Sequence, residues 1–236
     1  MTSAERPLRL FILGATGGTG RELVDQALAR GHRVTAFVRS PQKLDQPREG
    51  LALLSGNPLS AEALAGELAG HHAALSAIGP PGPGRTSVVS ESARALVTAM
   101  TATGVRRLLI LSVAVLFADA GLLGAVLRRT FLRGVADDSY EMEKVVRASH
   151  LDWTIVRPPR LTNGLRSERY AVREGGLPDG VGSTASIGRA DLAHFLLTEV
   201  ERGRHIKQVV GLASSRRRAA GSSDEDGKSF TERSTE

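Results

Sequence analysis

The chain has 236 residues, 41% of them hydrophobic and 24% charged, with a net charge of +6. These are the proportions of a globular domain large enough for a substantial core, and the absence of cysteine excludes disulfides, thiolate catalysis and cysteine-held metals. Aromatic content is 4% and no Lys/Arg-rich helix is predicted, which argues against nucleic acid as the partner of the positive charge.

The stretch from Ser214 onward carries five basic and five acidic residues, so the positive excess lies in the body of the chain. An excess of this size suits a phosphorylated or otherwise anionic small-molecule ligand. Met1–Pro7 contains no apolar run of the kind a secretory signal needs, which predicts a cytoplasmic protein.

The first element is an apolar run, Leu8–Leu13, read as a buried strand. Gly14-Ala15-Thr16-Gly17-Gly18-Thr19-Gly20 follows, and Arg21–Ala29 then takes helical apolar spacing. Strand, glycine turn and helix in that order predict a dinucleotide site. Gly14 permits the tight turn, Gly17 lets backbone amides approach a pyrophosphate, and Gly20 lets the helix pack close to the strand. Thr16, Gly18 and Thr19 complete the loop, and the helix N-terminus faces the phosphate charge.

Further along, strands are predicted at Arg33–Val38, Leu51–Leu54, Ala73–Ile78, Leu108–Ser112 and Trp153–Val156, with Val209–Leu212 as a last edge strand. Helices are predicted at Ala61–Ala69, Val88–Ala102, Ser139–Ser149 and Asp191–Val200. Repeated β-α-β order implies a doubly wound parallel α/β sheet covered on both faces, in one domain over residues 1–213. Ser214–Glu236 is polar without an apolar period and is predicted to be disordered.

Leu108–Leu127 has the length of a membrane span. Asp119 in its middle would cost about 2.5–3.5 kcal/mol to insert. Gly121 and Gly124 suit a soluble turn, so the stretch is read as a strand followed by an apolar lid over Val113–Arg133, with no membrane partner.

Several residues fall where chemistry is expected. Arg39 follows the second strand, where an acidic residue holds the ribose in NAD-specific folds and an arginine can hold a 2′-phosphate. It reads either as an NADP determinant, with Ser40 and Lys43 assisting, or as a solvated surface arginine. Asn57, after the third strand, either meets an adenine edge or makes an Asx turn before Pro58. Ile78 and Gly79 end the fourth strand and open a Gly/Pro loop, Gly79–Gly84, on the same rim. Ser112 ends the fifth strand there, either orienting a nicotinamide or substrate carbonyl or serving as an ordinary strand-end serine. Tyr140 and Lys144 match Tyr-x-x-x-Lys and share a helix face, a pattern with only two fixed residues.

Taken together, these segments resemble the NmrA-like group of atypical short-chain dehydrogenases/reductases, and within it the flavin and biliverdin reductases. The resemblance rests on Gly14–Gly20, Phe37-Val38-Arg39, Leu111–Phe117, Asp137–Ser149, Arg157-Pro158-Pro159-Arg160 and Ile187–Phe195, and spans about Leu8 to Leu212. It implies a Rossmann-like domain using NADPH, with Pro158 beside the cofactor and Ser112 as the active-site serine. The group's Pro-Pro-His segment falls on Pro158-Pro159-Arg160, so Arg160 stands where those reductases have histidine. If it faces the pocket, Arg160 favours an anionic, flavin- or tetrapyrrole-like acceptor. The resemblance also puts Tyr140 and Lys144 out of register with the group's catalytic pair. It implies a reductase working as a monomer or small homo-oligomer. The alternatives are a cofactor-binding regulator without turnover and a sugar-nucleotide epimerase, the latter needing a functional Tyr140/Lys144 pair and a larger substrate domain.

Overall fold

A computed structural model describes residues 6–43, 48–80, 82, 84–117, 133–181 and 185–215. Its strands are β1 (Arg9–Leu13), β2 (Arg33–Val38), β3 (Leu51–Ser55), β4 (Ala73–Ser76), β5 (Arg107–Leu111), β6 (Asp152–Arg157), β7 (Arg160–Thr162), β8 (Tyr170–Glu174), β9 (Ser186–Gly188) and β10 (Gln208–Ser214). Its helices are α1 (Gly18–Ala29), α2 (Ala61–Leu68), α3 (Val88–Thr103), α4 (Arg133–Arg147) and α5 (Arg189–Arg202).

Eight strands form one sheet in the order β3-β2-β1-β4-β5-β6-β10-β8, parallel except for β8, which runs antiparallel to β10. This is a Rossmann-like, doubly wound α/β domain, and the chain reverses its winding direction between β1 and β4. The short β7 and β9 pair separately.

Both faces of the sheet are apolar, as a parallel sheet covered by helices requires. Along β1 the side chains alternate between two cores. Phe11 and Leu13 enter the core under α2, α3 and α4, while Leu10 and Ile12 enter the core under α1 and α5. Strand β5 repeats this, with Leu108 and Ile110 on one side and Leu109 on the other. Each such side chain contributes about 1.5–3 kcal/mol by leaving water, and those of β1 are fully buried.

Several expectations need correction. Strand β10 is not an edge, because β8 covers its outer side. Strand β8 escapes a search for apolar runs because it is a half-exposed edge strand with Tyr170, Arg173 and Glu174 among its five residues. Strands β7 and β9 are each three residues long, too short to show a period. Helix α4 starts at Arg133 rather than Ser139. Strand β10 extends to Ser214, and the Ser215 amide donates to the Arg169 carbonyl, so the body runs two residues past 213. Residues 216–236 and most of the expected lid, 118–132, lie outside the described residues. No helix among the described residues is long and apolar enough to cross a membrane.

Candidate cofactor site

The site is built at the C-terminal ends of β1, β2 and β4, where the reversal of winding opens a crevice. The turn after β1 is held by the Gly17 amide donating to the Gly14 carbonyl at 3.0 Å. Gly14 has φ +76°, and a Cβ on it would lie 2.6 Å from the Ala77 backbone. A Cβ on Gly20 would lie 2.1 Å from the Gly14 carbonyl oxygen. No other residue type therefore fits either position without backbone movement.

Gly17 is the N-cap of α1, and because its amide is used within the turn it does not itself present a donor. Gly17 supplies no capping side chain, and the first turn of α1 contains no acidic residue. The amides of Gly18, Thr19 and Gly20 are thus the ones left without helical acceptors, at the positive end of the helix dipole. Thr19 and Gly20 are buried, and the Arg189 side chain lies across Gly18.

A cleft of about 270 Å³ opens beside this turn. It brings together Gly14, Thr16, Gly17, Arg39, Asn57, Ile78 and Gly79, which are separated by up to 65 positions along the chain but were each expected at the rim. It adds an apolar wall of Phe37, Pro58, Leu59 and Val88. That wall has no separate signal in the sequence because such residues look the same in a core and in a ligand cleft. Arg39 is exposed at the cleft edge. The Asn57 Oδ1 accepts the Leu59 amide at 3.1 Å, an Asx turn, so the residue both shapes the loop and lines the cleft. The Lys43 side chain lies outside the described residues.

A glycine turn with no room for side chains, free first-turn amides, an apolar slot and a cation at the end of β2 are the features a dinucleotide needs. A family model described as NAD(P)H-binding matches residues 14–202. The chain belongs to the NAD(P)H-binding family. It is 25% identical over 206 residues to the uncharacterised protein YwnB of Bacillus subtilis, covering 84% of this chain and 94% of YwnB. Its fold is similar to that of the oxidoreductase YlbE from Lactococcus lactis, with a TM-score of 0.75 at 20% identity, over 89% of this chain and 92% of the other. It is also similar to ChuY, an anaerobilin reductase from Escherichia coli O157:H7, with a TM-score of 0.72 at 18% identity, over 87% and 97% of the two chains.

The remaining candidates lie outside that cleft. Ser112 follows β5 and is buried, and its hydroxyl donates to Glu143 Oε1 at 2.6 Å. It therefore does not hold its proton free for a substrate carbonyl, as one reading of the sequence supposed. Glu143, on α4, also accepts from Arg157 Nε and Nη2 at 2.8 Å each and from Arg147 Nη2 at 3.2 Å. Burial pushes the Glu143 pKa up, but the hydrogen bonds from Arg157 and Ser112 and the nearby arginine charges outweigh it. The carboxyl is held below the ordinary glutamate value. The Arg157 guanidinium also stacks over the Phe117 ring, 4.6 Å from its centre. Neither Glu143 nor Arg157 carries a site signal in the sequence, since one is a helix glutamate and the other a strand-end arginine.

Pro158 is buried and its carbonyl accepts the Ala114 amide at 3.1 Å, tying β6 to the turn after Ser112. Arg160 is exposed and opens β7 opposite Ser186. Tyr140 is 55% exposed and lies under the Lys144 ammonium, which is paired with Glu141. Tyr140 and Lys144 thus share a helix face, as their spacing requires, but that face meets solvent.

Proposed function

We propose that the protein is an NADPH-dependent reductase that passes a hydride to a flavin, bilin or similar conjugated acceptor. The observation that carries this reading is Arg39, an exposed cation at the mouth of the cleft at the end of β2. NAD-specific folds place a carboxylate there to hold the ribose hydroxyls. An arginine instead suits a 2′-phosphate, which it can grip with two hydrogen bonds.

The chemistry supplied by the bound cofactor is hydride donation from its reduced nicotinamide. This chain's residues bind and orient. The first-turn amides of α1 hold the diphosphate, and the wall of Phe37, Pro58, Leu59 and Val88 takes the adenine. Ser112, at the end of β5, stands on the same rim at the nicotinamide end. Orientation of donor against acceptor is most of what a protein must add to such a reaction. The exposed Tyr140 takes no part. Arg160 offers a permanent cation for a carboxylate or phosphate on the acceptor. The anaerobilin reductase of similar fold and the resemblance to flavin and biliverdin reductases both favour a planar conjugated acceptor. The protein is proposed to work in the cytoplasm.

Steady-state NADPH oxidation with flavin mononucleotide, riboflavin and biliverdin tests this reading. Turnover with at least one of them, and preference for NADPH over NADH, is expected. Tight NADPH binding without turnover of any acceptor would make the protein a cofactor-binding regulator instead.

A further inference from the structure

The environment of Ser112 goes further than its position. A serine hydroxyl has one proton to donate and two lone pairs to accept with. Here the proton lies on the 2.6 Å line to Glu143 Oε1. Glu143 has no proton to return, because Arg157 holds both its oxygens and Arg147 holds Oε2. The whole network is anchored by secondary structure. The Ser112 amide donates to the Val156 carbonyl at 2.7 Å, fixing the end of β5 against β6. Arg157 is wedged between Glu143 and the Phe117 ring. What remains to Ser112 on its other side is lone pairs.

We propose that Glu143 is a positioning residue that fixes Ser112 as a hydrogen-bond acceptor, and that Ser112 receives an N–H of the nicotinamide carboxamide. This rests on the reductase reading above. Ser112 ends the strand beside β4, whose continuation Ala77-Ile78-Gly79 lines the cofactor cleft. A group seated next to Ser112 must bring a donor. The carboxamide carries an N–H₂ on one side and a carbonyl on the other. A serine fixed as an acceptor selects which end of the carboxamide faces β5.

The test is calorimetric binding of oxidised NADP and of its 3-acetylpyridine analogue, in which a methyl replaces the N–H₂. The wild type is expected to bind the analogue about fivefold more weakly, the scale of one neutral hydrogen bond. Ser112→Ala should bring that ratio close to one while leaving the fold intact. Glu143→Gln should do the same by another route. Its amide oxygen is worth most opposite the two guanidinium Nη2 groups, which leaves its N–H₂ facing Ser112 at the expense of the bond from Arg157 Nε. The serine must then accept from the protein and turn its own proton outward.

An unchanged ratio in Ser112→Ala overturns the contact. A collapsed ratio in Ser112→Ala with a wild-type ratio in folded Glu143→Gln overturns the role of Glu143. Should Glu143→Gln fail to fold, the serine variant still decides the contact, and Glu143→Ala, which removes the acceptor, decides the role: an unchanged ratio there overturns it. Failure of the wild type to bind NADP at all is a different result, and overturns the reductase reading itself.

Discussion

Asp138 on α4 caps α3, its Oδ1 accepting the Ser90 amide at 2.9 Å while its Oδ2 accepts the Val89 amide at 3.0 Å. The local cap residue, Ser87, makes no side-chain cap bond. The negative charge sits on the positive end of α3, and both helices are locked together by it. Asp138→Ala is expected to lower stability by about 2 kcal/mol, with two buried amides left unpaired. Urea unfolding followed by circular dichroism measures this. A change under about 0.5 kcal/mol would show that water replaces the carboxylate at no cost.

The Glu143 network predicts an acid limb in stability. A glutamate whose folded pKa lies below its unfolded value, about 4.3, adds stability that is fully present above the unfolded value. That stability is lost as pH falls through the folded value. Unfolding free energy should therefore drop below about pH 4.3 in the wild type, and the drop should be shallower in Glu143→Gln, measured as midpoints against pH. Identical acid limbs in the two proteins would show that other carboxylates control it.

Gly20→Ala places a methyl 2.1 Å from the Gly14 carbonyl oxygen. Either α1 or the turn must move, at a cost of about 1–3 kcal/mol. The expected result is a melting temperature lower by about 3–10 °C and a loss of NADPH affinity of at least about tenfold. A variant that binds like the wild type would mean that the turn tolerates displacement.

Arg39→Asp exchanges the cation at the cleft mouth for an anion. NADPH affinity should fall by more than about tenfold, and NADH affinity should hold or improve, because the carboxylate can take the ribose hydroxyls. Fluorescence titration with the two cofactors reads the ratio. Equal affinity of the wild type for both would remove the basis for assigning NADPH.

Tyr140→Phe is expected to leave turnover within about twofold, since general acid catalysis is worth about 10²–10⁴ and the phenol is 55% exposed on the outer face of α4. A hundredfold loss in NADPH oxidation with unchanged cofactor affinity would place the hydroxyl in the reaction.

Local rules were enough for the elements with strong signals. Strand β1, the glycine turn and α1 are legible together because a buried strand, a turn with no space for Cβ and an amphipathic helix each restrict residue type independently. Arg39, Asn57 and Gly79 could be assigned to one rim because parallel strands joined by helices bring all their C-terminal ends to the same side of the sheet. The half-exposed β8 left little trace, since an edge strand with one covered side makes few demands on its residues.

Chain order and residue type thus determined the doubly wound fold, the place of the candidate cofactor cleft and the cation at its mouth. Tertiary structure alone decided the state of Ser112. Its proton is claimed by Glu143, 31 positions away, and Glu143 is held ionised by Arg157 from a third element. It also decided that Asp138 caps a helix other than its own and that Tyr140 faces solvent. Hydrogen-bond direction and the charge of a buried group depend on which partners lie within about 3 Å, and spacing along one element carries no information about partners on another.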